Sequence, residues 1–144
     1  MKRRLAGILL FAAATTVLLR ADSGGSDYSG DVRVKVLLKT ETNVAGQKIE
    51  YPPGPAEASV LLVEIPSGMQ TGWHKHPVPL FGYVLAGEVT VTLADGRKHT
   101  FHEGDALAEC VNILHNGVNE GKETTKLLIF VAGEKGVPFT VKQK

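Results

Sequence analysis

Turn-forming residues cut the chain from Ala58 to Val131 into short apolar runs, and that punctuation restricts what it can fold into. Ala58 to Ile65 reads as a strand stopped by Pro66-Ser67-Gly68. Phe81 to Ala86 and Glu88 to Leu93 flank Gly87, and Asp95-Gly96 is a hairpin signal before Lys98 to Phe101. Glu103-Gly104-Asp105 makes a further turn into Ala106 to Val111. Leu127 to Val131 is continuously apolar, the pattern of a strand buried on both faces. Upstream, Val32, Val34 and Val36 alternate with Arg33 and Lys35 at the period of a half-buried strand, and Pro52-Pro53-Gly54-Pro55 forms a rigid loop. No stretch beyond the N-terminal segment carries a helical period, and there is no internal repeat. Many short strands joined by turns predict an all-β sandwich or barrel.

The N-terminal segment follows a different rule. Lys2, Arg3 and Arg4 precede an apolar run from Leu5 to Leu19, which is too short for an ordinary membrane span and has the form of a signal peptide. Residues 1–21 are therefore expected to be a signal peptide cleaved after Ala21, with a retained N-terminal anchor as the competing reading. Residues 22–30 are expected to be a flexible leader, and residues 31–144 a single β-barrel domain that is periplasmic or secreted. Lys2, Arg3, Arg4 and Arg20 depart with residues 1–21, leaving 12 basic against 15 acidic side chains, a net charge of −3. No basic run with interleaved aromatics remains, so neither nucleic acid nor, after cleavage, a membrane is an expected partner. Cys110 is the only cysteine, which rules out an intrachain disulfide. It reads as a buried, inert thiol, and nucleophilic chemistry would need a base beside it.

The chemistry-bearing residues are histidines. His74 and His76 lie two apart, and on a strand that spacing puts both side chains on one face. Two adjacent imidazoles can share a metal ion such as iron, nickel, copper or zinc. His-x-His alone is a weak signal, but its surroundings raise it. Gly68 precedes His74 by six residues, Pro77 follows His76, and Gly87 closes the segment. Farther on, His115 falls eleven residues after Gly104, and Asn119 four beyond His115.

Gly68 to Gly87 resembles the first cupin motif and Gly104 to Asn119 the second, with Glu88 to Glu103 fitting the hairpin between them. The resemblance implies a double-stranded β-helix, or jelly roll, with one divalent metal ion (Fe, Mn, Ni, Cu or Zn) near one end of the barrel. It carries His74, His76 and His115 over as metal ligands; packed histidines of a degenerate cupin are the plainer alternative. Two departures stand out. The family's acidic ligand falls at position 80, where this chain has Leu80, and Cys110 and Asn112 replace the second motif's proline and glycine, so a different turn before His115 is expected. The family also has members with three histidines and no acid.

Without that acid, three neutral imidazoles leave the ion's charge uncompensated, which favours an anionic ligand at the open positions. Glu109, near the second motif, reads as a solvated side chain, or else as a distal ligand or base on an undetermined strand face. His99 and His102 match no motif position and read as surface or rim residues. Trp73, Phe81 and Tyr83 are assigned to core packing, with the barrel mouth as the alternative. The alternating valines suggest a strand that pairs with a second subunit's sheet edge, hence a homodimer.

The first functional expectation is a metal-dependent dioxygenase of a small chelating organic substrate. The second is a non-catalytic periplasmic module that binds a metal or a small ligand. A sugar isomerase or epimerase would need a base that the sequence does not clearly provide.

Overall fold

The computed structural model describes residues 30–143. The expected signal peptide, residues 1–21, and the leader up to residue 29 lie outside the described residues. Contacts divide the chain into two units, Met1–Val36 and Leu37–Lys144. In the first, Val32, Val34 and Val36 are exposed and form no strand. This corrects the half-buried strand expected there, because alternation makes a strand only where the backbone N–H and C=O groups find ladder partners.

The second unit holds nine strands: β1 (Ala56–Ile65), β2 (His74–Lys75), β3 (Leu80–Ala86), β4 (Glu88–Leu93), β5 (Lys98–His102), β6 (Ala106–Ala108), β7 (His115–Val118), β8 (Thr125–Glu134) and β9 (Val141–Lys142). They form two antiparallel sheets, ordered β1-β8-β3-β6 and β5-β4-β7-β2-β9. This is a double-stranded β-helix, and no helix occurs among the described residues. The sheets enclose a core that includes Ile65, Leu80, Val84, Val89, Leu127 and Ile129.

Turn chemistry sets the sheet boundaries. In the β4–β5 hairpin, Gly96 takes a φ of 89° and the Asp95 carboxylate accepts the Arg97 N–H at 3.0 Å. Gly87, between β3 and β4, has a φ of 73°, and a Cβ there would stand 3.1 Å from the Thr125 Cα, so glycine is needed twice over. Asn119 ties the loops together from a fully buried position. Its amide donates to the carbonyls of Ile65 and Glu123 at 2.8 and 2.7 Å, and its Oδ1 accepts the Gly121 N–H at 3.0 Å.

Several placements differ from the sequence expectation, and on β3 and β8 the reason is that strand alternation overrides local hydrophobicity. In β8, Leu127, Ile129 and Val131 are buried, but Phe130 is 47% exposed, so the strand is covered on one face only. Phe81 and Tyr83 share that outer face through pairing with β8, and Trp73 is exposed, so none of the three is a core residue. The strand expected from Ala106 to Val111 ends at Ala108.

The buried amide of Asn119 generates a stability prediction. Asn119→Ala removes three hydrogen bonds and leaves the Ile65 carbonyl unpaired in the interior, so urea unfolding should show a loss of about 3 kcal/mol. A loss below about 1 kcal/mol would contradict the structural role of this side chain.

Candidate metal centre

The ladder brings the three motif histidines together. His74 on β2 pairs directly with His115 on β7, and His76 forms an isolated bridge with Val111 just beyond β2. All three are buried. Their ring centroids stand 4.8 Å apart for His74–His76, 4.4 Å for His74–His115 and 4.9 Å for His76–His115. One ring nitrogen from each lies within 4.8 Å of the other two.

Backbone carbonyls decide which nitrogen that is. Nδ1 of His74 faces the Gly72 carbonyl at 2.7 Å, Nδ1 of His76 the Phe139 carbonyl at 2.7 Å, and Nδ1 of His115 the Ile113 carbonyl at 2.9 Å. A carbonyl only accepts, so each Nδ1 must carry the proton and donate it, which leaves the Nε2 lone pair free in the neutral ring. His115 Nε2 is buried and has no hydrogen-bond partner. Such a nitrogen in an otherwise satisfied site is a position for an ion, and three convergent imidazoles fit a divalent transition metal.

The turn before His115 depends on Asn112. Asn112 adopts a φ of 57°, the left-handed region that glycine favours and asparagine tolerates best among the others. Its N–H donates to the His76 carbonyl at 2.8 Å, tying this turn to the segment that carries the first two histidines. At the position where the motif has glycine, the asparagine thus supplies a left-handed conformation. Cys110 is fully buried, with its sulfur 3.3 Å from His115 Nδ1.

Glu109 is not the solvated side chain that the sequence suggested. Only 14% of its side-chain surface is exposed, and its Oε2 lies 3.2 Å from His76 Nε2 and 3.3 Å from His115 Nε2. The second contact lacks the alignment of a hydrogen bond. Strand alternation was the available signal, since Leu107 and Glu109 are two apart and both line the same cavity. His99 also departs from its expected surface position. It is half-buried across from Val91, with its Nε2 unpartnered, whereas His102 is exposed beside Glu88.

Electrostatics prepares the site unevenly. Burial lowers the His74 pKa, the Gly72 carbonyl opposes this, and repulsion from His115 and His76 adds to the lowering, so this ring is held neutral. Burial also works against charge on Glu109, but His115 and His76 more than offset it and bring the carboxyl down to about 2. For His115, burial lowers the pKa, yet the Cys110 sulfur, the Glu109 carboxylate and the Ile113 carbonyl together raise it to about 10. His115 thus keeps a proton at neutral pH, and an ion taking its Nε2 would have to displace it.

The histidines border a cavity of about 200 Å³ that runs into the barrel. Its wall is apolar along Leu61, Val63, Ile65, Val89, Leu127 and Ile129. Thr71, Thr140 and Lys142 also line it, and Lys142 pairs with His74 in the ladder. Sequence motifs did not indicate the contributions of Phe139, Thr140 and Lys142, which come from the C-terminal segment.

Two measurements follow from this geometry. Single His74→Ala, His76→Ala or His115→Ala substitutions should weaken divalent-metal binding at least about a hundredfold in chelator competition, and His99→Ala should leave it unchanged. Near pH 8, calorimetry in buffers of different ionisation enthalpy should show release of about one proton per metal, and affinity should rise with pH as the His115 proton becomes easier to remove. Equal metal content in the wild type and His115→Ala would rule the site out.

Comparison with known proteins places this geometry in a family. The family model described as a cupin domain matches residues 61–131. Among solved structures, the chain is similar to the DMSP lyase DddQ from Ruegeria pomeroyi at 19% identity and a TM-score of 0.53, covering 60% of this chain and 43% of that one. It is similar to the Lactobacillus farciminis oxalate decarboxylase, solved as a formate complex, at 23% identity and a TM-score of 0.53, covering 59% of this chain and 26% of that one. A Klebsiella pneumoniae protein with a double-stranded β-helix domain matches at 18% identity and a TM-score of 0.52, over 67% of this chain and 91% of that one. The chain spans less than half the length of the lyase and decarboxylase chains it matches. No curated protein matches it. The matched segment contains both histidine motifs, and the chain belongs to the cupin superfamily.

Proposed function

We propose that His74, His76 and His115 hold one divalent metal ion, and that the protein is a metal-dependent dioxygenase of a small chelating organic anion. The observation that carries this reading is the two-part character of the cavity. Its polar side chains gather at the histidine end, and the rest of the wall is aliphatic. A module for a bare ion gains nothing from an apolar chamber behind it. A substrate with a chelating head and an apolar body would use both parts.

Size narrows the class. A dry cavity of about 150 Å³ accepts benzene, so about 200 Å³ suits a one-ring or short-chain compound. Lys142 at the histidine end adds a positive charge that favours an anionic head. The aliphatic wall would orient the body of the substrate and exclude water from the reacting end. The bound metal would supply a Lewis-acidic, redox-active centre with open positions for a chelate.

The protein is also proposed to be exported and to act as a homodimer. Export rests on the basic start and the Leu5–Leu19 run. Self-association rests on an apolar outer face, where Val60 pairs with Phe130 and Leu62 with Leu128 while Val60, Leu62 and Phe130 stay exposed. The edge of that sheet is the ten-residue strand β1. Residues 32–36 of a second copy, alternating valine with basic side chains, have the pattern of a strand that adds to this edge.

Oxygen consumption tests the activity. Iron-loaded protein should take up oxygen with a β-diketone, a thiol-carboxylate or a similar small chelating acid, and the zinc-loaded form should not, because zinc has no redox chemistry. Metal-dependent ligand binding without oxygen uptake by any redox-active form would instead establish a non-catalytic binding module. For the assembly, light scattering of protein from the periplasmic fraction should give a dimer of chains beginning near Asp22, and Phe130→Lys should shift it to monomer. A full-length chain fixed in the membrane would refute export with removal of the N-terminal segment, and a wild-type monomer would refute the dimer.

A further inference from the structure

The geometry points to Glu109 as a fourth, carboxylate ligand of the ion held by His74, His76 and His115, an assignment that rests on the metal-site reading above. Distance is the first argument. Two ligand atoms that share an ion at about 2.1 Å each stand about 3.0 Å apart at a right angle and about 3.4 Å apart in a tetrahedron. Glu109 Oε2 lies 3.2 Å from His76 Nε2 and 3.3 Å from His115 Nε2, inside that interval for both. One oxygen therefore already stands where a donor sharing their ion would be.

Orientation is the second argument. Each Nδ1 faces a backbone carbonyl, so it is the Nε2 atoms of the rings that turn toward Glu109. The Glu109 contact to His115 Nε2 is short yet lacks the alignment of a hydrogen bond, the relation expected of two donors that share one ion.

Charge compensation is the third. Glu109 shares its cavity with Leu80 and Leu107, and among the described residues its ion-pair partners are His76 and His115 alone, with no lysine or arginine. A mostly buried carboxylate requires a counter-charge. A divalent ion provides it while the imidazoles remain neutral.

The register shows how the side chain arrives there. The Glu109 N–H donates to the Leu80 carbonyl at 2.9 Å, continuing the β3–β6 ladder in which Phe81 pairs with Ala108. Leu80 and Glu109 are thus cross-strand neighbours that both line the cavity. The position that lacks an acid and the one that supplies it lie side by side on adjacent chain segments. With Glu109 as a ligand, the centre would carry a net charge of one and would still attract an anionic ligand.

Cobalt(II) binding tests this without reference to activity. In Glu109→Gln, the cobalt affinity measured against a chelator should fall about a hundredfold, and the visible absorption of the bound ion should change in position and intensity. The exchanged pair Leu80→Glu with Glu109→Leu should recover much of that affinity, because it moves the carboxylate by one strand on the same cavity wall. This second variant also separates ligand loss from a folding defect. Unchanged cobalt affinity and spectrum in Glu109→Gln, with binding lost in His115→Ala, would overturn the assignment and leave the three-histidine site standing. Failure of the wild type to bind cobalt at all would instead overturn the metal reading on which this rests.

Discussion

Three backbone carbonyls, those of Gly72, Ile113 and Phe139, decide which way the three buried imidazoles face. By accepting the Nδ1 protons they fix the tautomer of each ring and turn its Nε2 lone pair into the barrel. The rest of the architecture keeps those carbonyls in place. Gly72 and Ile113 each lie two residues before the histidine they orient, so their hydrogen bonds are local to the strand entrances. Phe139 reaches His76 from the C-terminal segment, near β9, which pairs with β2. The site is therefore closed by chain elements far apart in sequence, and its geometry depends on the whole barrel.

The barrel supplies a second constraint through alternation. Inward positions of the β1-β8-β3-β6 sheet carry aliphatic side chains, and these form both the core and the wall of the cavity. Glu109 is the exception on that wall, and it is directed at two of the three imidazoles. On the outer face the same strands carry Val60, Leu62 and Phe130, more apolar surface than a solvent-facing sheet requires. One sheet thus serves the cavity on one side and presents an apolar surface on the other.

Much of this was legible in the sequence. Turn residues at Pro66-Ser67-Gly68, Gly87, Asp95-Gly96 and Gly104 divide the chain close to where the strands end, because glycine and proline act through local dihedral preferences. The motif spacing brought His74, His76 and His115 together on the page before the ladder did so in space. What was not legible required partners. Val32 to Val36 has strand periodicity without a ladder, and β8 is apolar on two faces with only one covered. Glu109 looked like an ordinary surface carboxylate because charge alone does not report strand face, although Leu107 two residues earlier supplied the phase. Asn112 departs from the motif and still takes a left-handed backbone conformation, which asparagine tolerates.

The central claim is that one ion sits where the three carbonyl-oriented imidazoles converge. Diffraction from crystals grown with manganese or zinc, measured at the metal's absorption edge, tests it most directly. A single anomalous peak should appear in each chain, about 2.1 Å from Nε2 of His74, His76 and His115. A metal peak bound elsewhere on the chain, or no peak at this position at saturating metal, would contradict the account.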